Sequence, residues 1–115
     1  MPIFKRKHLS KILTGEKTQT RRTHKLEWKI GRTYSVRDRW FEKPKGHIRI
    51  TRKFKQKLGE ITLLDIRKEG FATMEDFKRG WEEIYGSGSW NPEQVVTVYE
   101  FILSNPVEEG MDKRP

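Results

Sequence analysis

The sequence contains no cysteine. That absence removes disulfides, thiol catalysis and thiolate metal sites together, and it fits a reducing compartment. Long apolar runs are missing as well. None approaches the ~20 residues that a membrane span needs, and the basic start at Lys5 to Lys7 lacks the apolar region of a signal peptide. The expectation is a soluble, cytoplasmic chain with no membrane partner. Histidine is scarce: His8, His24 and His47 lie far apart, none in a His-x-x-x-His spacing, so they read as surface or structural and no metal site is expected. A phosphate loop is absent too. Gly15-Glu16-Lys17-Thr18 lacks the upstream Gly and the preceding strand of a Walker motif, which excludes a nucleotide triphosphatase. No cofactor is expected.

Acidic residues are rare in the first half. Residues 1–57 hold 19 Lys and Arg against 4 Asp and Glu, whereas residues 58–115 hold 6 against 12, for a net charge of +9 over the whole sequence. Such asymmetry implies one electropositive surface that attracts polyanions. Solvated charge of the thermophile kind would add both signs together, so nucleic-acid contact is the favoured reading. At 115 residues, with 33% hydrophobic, 36% charged and 11% aromatic residues, the chain is long enough for one domain with a thin core. That domain is expected over residues 1–103. From Ser104 onward Pro, Gly and mixed charges replace apolar residues, which reads as a disordered tail over 104–115.

Periodicity then divides the chain. Leu9, Ile12 and Leu13 recur at helical spacing from His8 to Thr14, and Gly15 is the stop. His24 to Ile30 reads as loop, with Trp28 exposed among Lys25, Glu27 and Lys29. After Gly31, Tyr34, Val36, Asp38 and Trp40 share one strand parity; Asp38 there suggests a bridge to a neighbouring Arg. The clearest alternation runs from His47 to Leu58. Ile48, Ile50, Phe54 and Leu58 take one parity, and Arg49, Lys53, Lys55 and Lys57 take the other as an exposed cationic stripe. Arg52 breaks the apolar parity, so either a bulge intervenes or this Arg reaches the strand edge.

Thr62 with Asp65, and Thr73 with Asp76, are capping patterns that open two helices, the first ended by Gly70. In the second helix Met74, Phe77, Trp81, Ile84 and Tyr85 form one face, and Gly80 inside it marks a close approach. Gln94 to Leu103 carries apolar residues on both parities and reads as a strand buried on both faces. The core is expected to hold Tyr34, Val36, Ile48, Ile50, Phe77, Trp81, Val96 and Phe101. This order of elements gives a mixed α+β domain on a small curled sheet.

The octet Gly15 to Arg22 concentrates an amine, two hydroxyls and two guanidiniums where a helix ends. A strand over Lys17 to Arg22 would place Lys17, Gln19 and Arg21 on one face and Thr18, Thr20 and Arg22 on the other. A helix ending in Gly, followed by Gly-x-Lys-Thr-x-Thr-x-Arg, resembles the signature of the ASCH domains, small PUA-like proteins associated with RNA. The match falls on Gly15, Lys17, Thr20 and Arg22, with further echoes at Glu69-Gly70-Phe71 and in the closing strand Val95 to Leu103, and it spans about His8 to Leu103. The resemblance implies a PUA-like small mixed β-barrel with helices packed beside it, and a site in the cleft between them.

Within that group, the small amidohydrolases of N4-acetylcytidine are similar to this chain at Lys17, Thr20 and Glu69. The implied chemistry is acyl transfer. A desolvated Lys17 takes a proton from Thr20, Thr20 attacks the acyl carbonyl, and Glu69 orients Lys17 or shuttles a proton to the leaving amine. Lys17 and Thr20 have opposite strand parity, so they converge only if Lys17 still belongs to the turn. The alternative is a binding module for RNA or a modified nucleoside. It uses Lys17, Arg21, Arg22, Arg49, Lys53 and Lys55 on phosphates and Trp28, Trp40 or Trp90 as stacking surfaces. A regulatory protein-binding domain is a third class, without a motif of its own.

Overall fold

The computed structural model of the chain describes residue 4 and residues 6–23, 28–37, 43 and 45–104. His24, Asp38, Trp40 and the tail beyond Ser104 lie outside the described residues. Helix α1 covers Arg6–Leu13 and strand β1 Gln19–Arg22. Strands β2 (Thr33–Val36) and β3 (Gly46–Lys57) follow, then a single 3-10 turn at Leu58–Glu60. Helices α2 (Leu63–Lys68) and α3 (Met74–Tyr85) lead to the last strand, β4 (Val95–Ser104). The four strands form one antiparallel sheet in the order β1-β4-β3-β2, curled into a half-barrel. Among the described residues β1 and β2 are its two edges.

Local chemistry accounts for the ends of the helices. Thr62 and Asp65 form a reciprocal capping box, with Asp65 N–H donating to Thr62 Oγ1 at 3.1 Å and Thr62 N–H to Asp65 Oδ2 at 3.3 Å. Thr73 caps α3 by accepting from Asp76 N–H at 3.1 Å. Inside α3, a Cβ on Gly80 would stand 2.7 Å from Phe71 Cζ. The close approach expected at Gly80 is therefore a ring laid against helix backbone.

The central pair β3 and β4 organises two cores. Their register shifts between Ile50 and Arg52, which leaves Thr51 as the extra residue of a β-bulge. Before the bulge Ile48 and Ile50 lie opposite Leu103 and Phe101, and after it Phe54 and Gln56 lie opposite Val98 and Val96. Since β4 continues without interruption, the bulge sends Phe54 to the other face of the sheet from Ile48 and Ile50. One core joins Leu9, Ile12, Val36, Ile48, Ile50, Tyr99 and Phe101; the other joins Leu58, Ile66, Phe77, Trp81, Val96 and Val98, with Phe54 packed against it. The single apolar stripe expected for β3 is thus two half-stripes. The expected cationic stripe is divided too, because Arg49 precedes the bulge and takes the other face from Lys53, Lys55 and Lys57; Lys55 and Lys57 are exposed, but Arg49 and Lys53 are half-buried. Lys53 Nζ donates to Trp28 C=O at 3.2 Å and Lys55 Nζ to Thr97 Oγ1 at 2.8 Å.

Trp28 requires a larger correction. Expected in solvent as a stacking surface, it is 6% exposed, with its ring 4.7 Å from that of Tyr99 and 6.0 Å from that of Tyr34. Its backbone N–H donates to Tyr99 Oη at 3.2 Å. The indole closes the end of the first core because sheet curvature brings Tyr99 beneath it, and this leaves no face on which an unpaired base could stack.

Candidate active site

Three tethers set the segment between α1 and β1. Lys17 N–H donates to Lys11 C=O at 3.0 Å, Thr18 N–H to Lys68 C=O at 2.8 Å, and Phe101 N–H to Thr18 C=O at 3.0 Å. The strand starts only at Gln19, so Lys17 belongs to the turn and escapes the strand alternation. Its ammonium reaches the end of α2, where Nζ donates to Glu69 Oε1 at 2.9 Å and to Glu69 C=O at 2.9 Å. Gly70 makes that approach possible. It holds φ +92°, a conformation that L side chains rarely adopt, and a Cβ there would sit 3.1 Å from Lys11 Cδ and 3.4 Å from Lys17 Cβ. Its carbonyl accepts from Lys11 Nζ.

Lys17 and Glu69 are 4% and 3% exposed. Burial pushes the Lys17 pKa down; the charge and hydrogen bond of Glu69 oppose this, and Arg22 and Arg21 add to the depression, so the net shift is downward. Thr20 lies opposite Tyr99 on β1, 4% exposed, and its Oγ1 accepts from Arg22 Nε at 3.2 Å. The Arg22 guanidinium lies over Phe4 at 4.5 Å and over Trp28 at 5.3 Å from the ring centres. Burial lowers its pKa as well.

Lys17, Thr20, Arg22 and Glu69 line one cavity of about 260 Å³ whose other walls include Phe4, Phe71, Phe77, Trp81 and Tyr85. A volume of this order takes one small ring system. Arg49, Lys53 and Lys55 do not line it. Arg21 does, but its side chain is 0% exposed and points into the protein's own acceptors, not to a surface where a phosphate could reach it. One Nη1 bond goes to Glu69 Oε2 at 2.8 Å and another to Gln19 Oε1, while Nη2 donates to Gln56 Oε1 at 2.7 Å and stands 3.5 Å from Asp65 Oδ2. Gln19 in turn donates to Glu100 Oε2 at 2.8 Å. Among the described residues no group of three or more His, Asp or Glu could hold a metal ion.

One wall residue escaped sequence reasoning. His8, 7% exposed, has its pKa lowered to about 4, first by burial and then by Lys17, Lys7 and Lys11, against Glu83. Among the described residues, neither its Nε2 nor the buried Trp81 Nε1 has a hydrogen-bond partner. The spacing of His8 with Ile12 on the buried face of α1 was the available signal. Nothing local marked Gln19, Gln56 and Asp65 as partners of Arg21.

A scan against family models and a search of curated proteins returned no match. Solved structures similar to this chain include the following two. An ASCH domain from Lactobacillus crispatus JV V101 superposes with a TM-score of 0.72 at 16% identity, over 84% of this chain and 69% of that one. A protein of Enterococcus faecalis V583 described by the family model DUF984 gives a TM-score of 0.62 at 16% identity, over 82% and 67%. A curled antiparallel sheet flanked by helices, matched over most of its length, gives this chain the fold of the ASCH domain.

Proposed function

We propose that the cavity takes one modified pyrimidine and that Lys17, Thr20 and Glu69 remove an acyl group from its exocyclic N4. The observation that carries this reading is the shared cavity: an amine, a hydroxyl and a carboxylate from three separate segments line one cleft, the amine with a lowered pKa. In its neutral form Lys17 Nζ accepts the Thr20 hydroxyl proton as Oγ1 adds to the acyl carbonyl carbon. The negative charge that develops on the carbonyl oxygen falls beside Arg22, whose Nε already bonds Thr20 Oγ1. The Lys17 ammonium then protonates N4, the C–N bond breaks, and cytidine leaves with the acyl group held as an ester on Thr20. Water then adds to the ester carbonyl while giving a proton to Lys17; the C–Oγ1 bond breaks, Lys17 returns that proton to Thr20 Oγ1, and the carboxylic acid leaves. Glu69 keeps the amine in place throughout.

Incubation with N4-acetylcytidine tests the reading, with cytidine and acetate expected in equal amounts and a slower release from Glu69→Gln. A wild-type protein that releases no cytidine overturns it.

A second reading, RNA contact through the basic first half, is favoured by the exposed cations of β3. The Arg52 and Lys57 side chains are 63% and 50% exposed. Contact through such groups gives an affinity that falls steeply with salt as counterions are released.

A further inference from the structure

Arg21 is a fully buried cation with no place in the acyl-transfer scheme. We propose that Arg21 is a positioning residue that divides the Glu69 carboxylate between two cations and thereby frees Lys17 to act as a base. The inference rests on the assignment of Lys17 as the base and deepens it.

The geometry carries the argument. Glu69 has two oxygens, and each has a cation: Lys17 Nζ at 2.9 Å on Oε1 and Arg21 Nη1 at 2.8 Å on Oε2. Held by Lys17 alone, a buried carboxylate would form a tight ion pair and keep the ammonium protonated. With Arg21 on its other oxygen, the pocket holds more positive charge than Glu69 neutralises. A guanidinium does not give up its proton in proteins, so the proton that can leave is that of Lys17. Gln19, Gln56 and Asp65 hold the two Nη groups of Arg21 in place. Asp65 is 18% exposed on its side chain and 3.5 Å away, so it compensates Arg21 less than Glu69 does.

The other groups around Lys17 act in the same direction or from farther off. Arg22 faces it from β1, His8 and Lys11 from α1, and Glu83 and Tyr85 from the α3 side of the cavity. His8 is neutral near pH 7, and Glu83 is paired with Lys7 at 2.7 Å. Among these groups Arg21 has a property of its own: it shares the very carboxylate that binds the amine.

The test follows the Lys17 titration directly, without substrate, by 13Cε NMR of lysine-labelled wild type, Arg21→Gln and Arg21→Lys, with the Lys17 signal assigned by its loss in Lys17→Ala. Arg21→Gln should raise the Lys17 midpoint by about one pH unit or more, and Arg21→Lys should restore it toward wild type. In the same variants the low-pH limb of cytidine release should move alkaline in Arg21→Gln, so that below the limb release slows about tenfold for each pH unit by which the midpoint rises. A residue that only stabilises the fold would lower the melting temperature and leave the midpoint in place. An unmoved or lowered midpoint in folded Arg21→Gln overturns the proposal. Should that variant not fold, Arg21→Met, which keeps the apolar stem and removes the charge, decides: a raised midpoint supports the charge argument, and one near that of wild type contradicts it. If the midpoint moves while wild type releases no cytidine, the charge division stands and the amidohydrolase reading falls.

Discussion

Burying Lys17 beside Arg21 and Arg22 costs desolvation that one carboxylate only partly offsets, and the lowered pKa of the amine is the result. The same imbalance has a consequence for stability at His8. Its pKa is about 4 in the folded protein against 6.5 for a free imidazole. A depressed pKa means that the unfolded chain takes up the proton first. Stability is therefore complete above about pH 6.5, falls as the pH drops, and levels off below about 4, with a loss on the order of 3 kcal/mol. Denaturant unfolding across that window should show His8→Phe losing less than wild type, and equal slopes would exclude His8 as the source. Gly70 is the second residue on which the site depends. Gly70→Ala forces a side chain into a left-handed backbone and against Lys11 and Lys17, at about 1–2 kcal/mol. Because the strain falls on the turn that presents Glu69 to Lys17, turnover should drop by more than the melting temperature implies; unchanged kcat would contradict this.

At the scale of elements, the sequence disclosed what depends on near neighbours. Helix α3, both capped helix starts, the turn at Gly15 and the two-sided burial of β4 follow from spacing within a few residues, and the structure has each of them. Of the eight core residues expected, seven are buried and Tyr34 is half-buried. What stayed hidden depends on partners distant in sequence. Trp28 is buried by Phe4, Tyr34 and Tyr99, and Arg21 by Gln19, Gln56, Asp65 and Glu69, so a local pattern read both as surface. The break at Arg52 was visible, but its effect was not, since alternation cannot say which face follows a bulge. Thr51 is the extra residue, so deleting it should leave Ile50 opposite Phe101 and Phe54 opposite Val98, with both cores still filled. The expected result in a thermal melt is cooperative unfolding within a few degrees of wild type, and loss of cooperative unfolding would show that Thr51 does more than offset the two half-stripes.

Across the whole molecule, the charge asymmetry separates into two populations. The cations of the turn and β1 are turned inward to the cavity and its supporting network, whereas those of β3 flank the sheet with Arg52, Lys55 and Lys57 exposed. Arg52→Glu with Lys55→Glu should weaken RNA binding at low salt and flatten its salt dependence while leaving nucleoside turnover intact, as titration of labelled RNA at several salt concentrations would show. Equal affinity in wild type and variant would remove β3 from the interface.

The central claim is that residues from the turn, from β1 and from the end of α2 act as one catalytic unit. Groups that act as a unit fail together, so the rate of cytidine release from N4-acetylcytidine by Lys17→Ala, Thr20→Ala and the double variant is the most direct measurement. The account predicts that each single variant loses essentially all turnover and that the double is no slower than the worse single. Wild-type rates in Thr20→Ala, or losses that multiply from single to double, would contradict it.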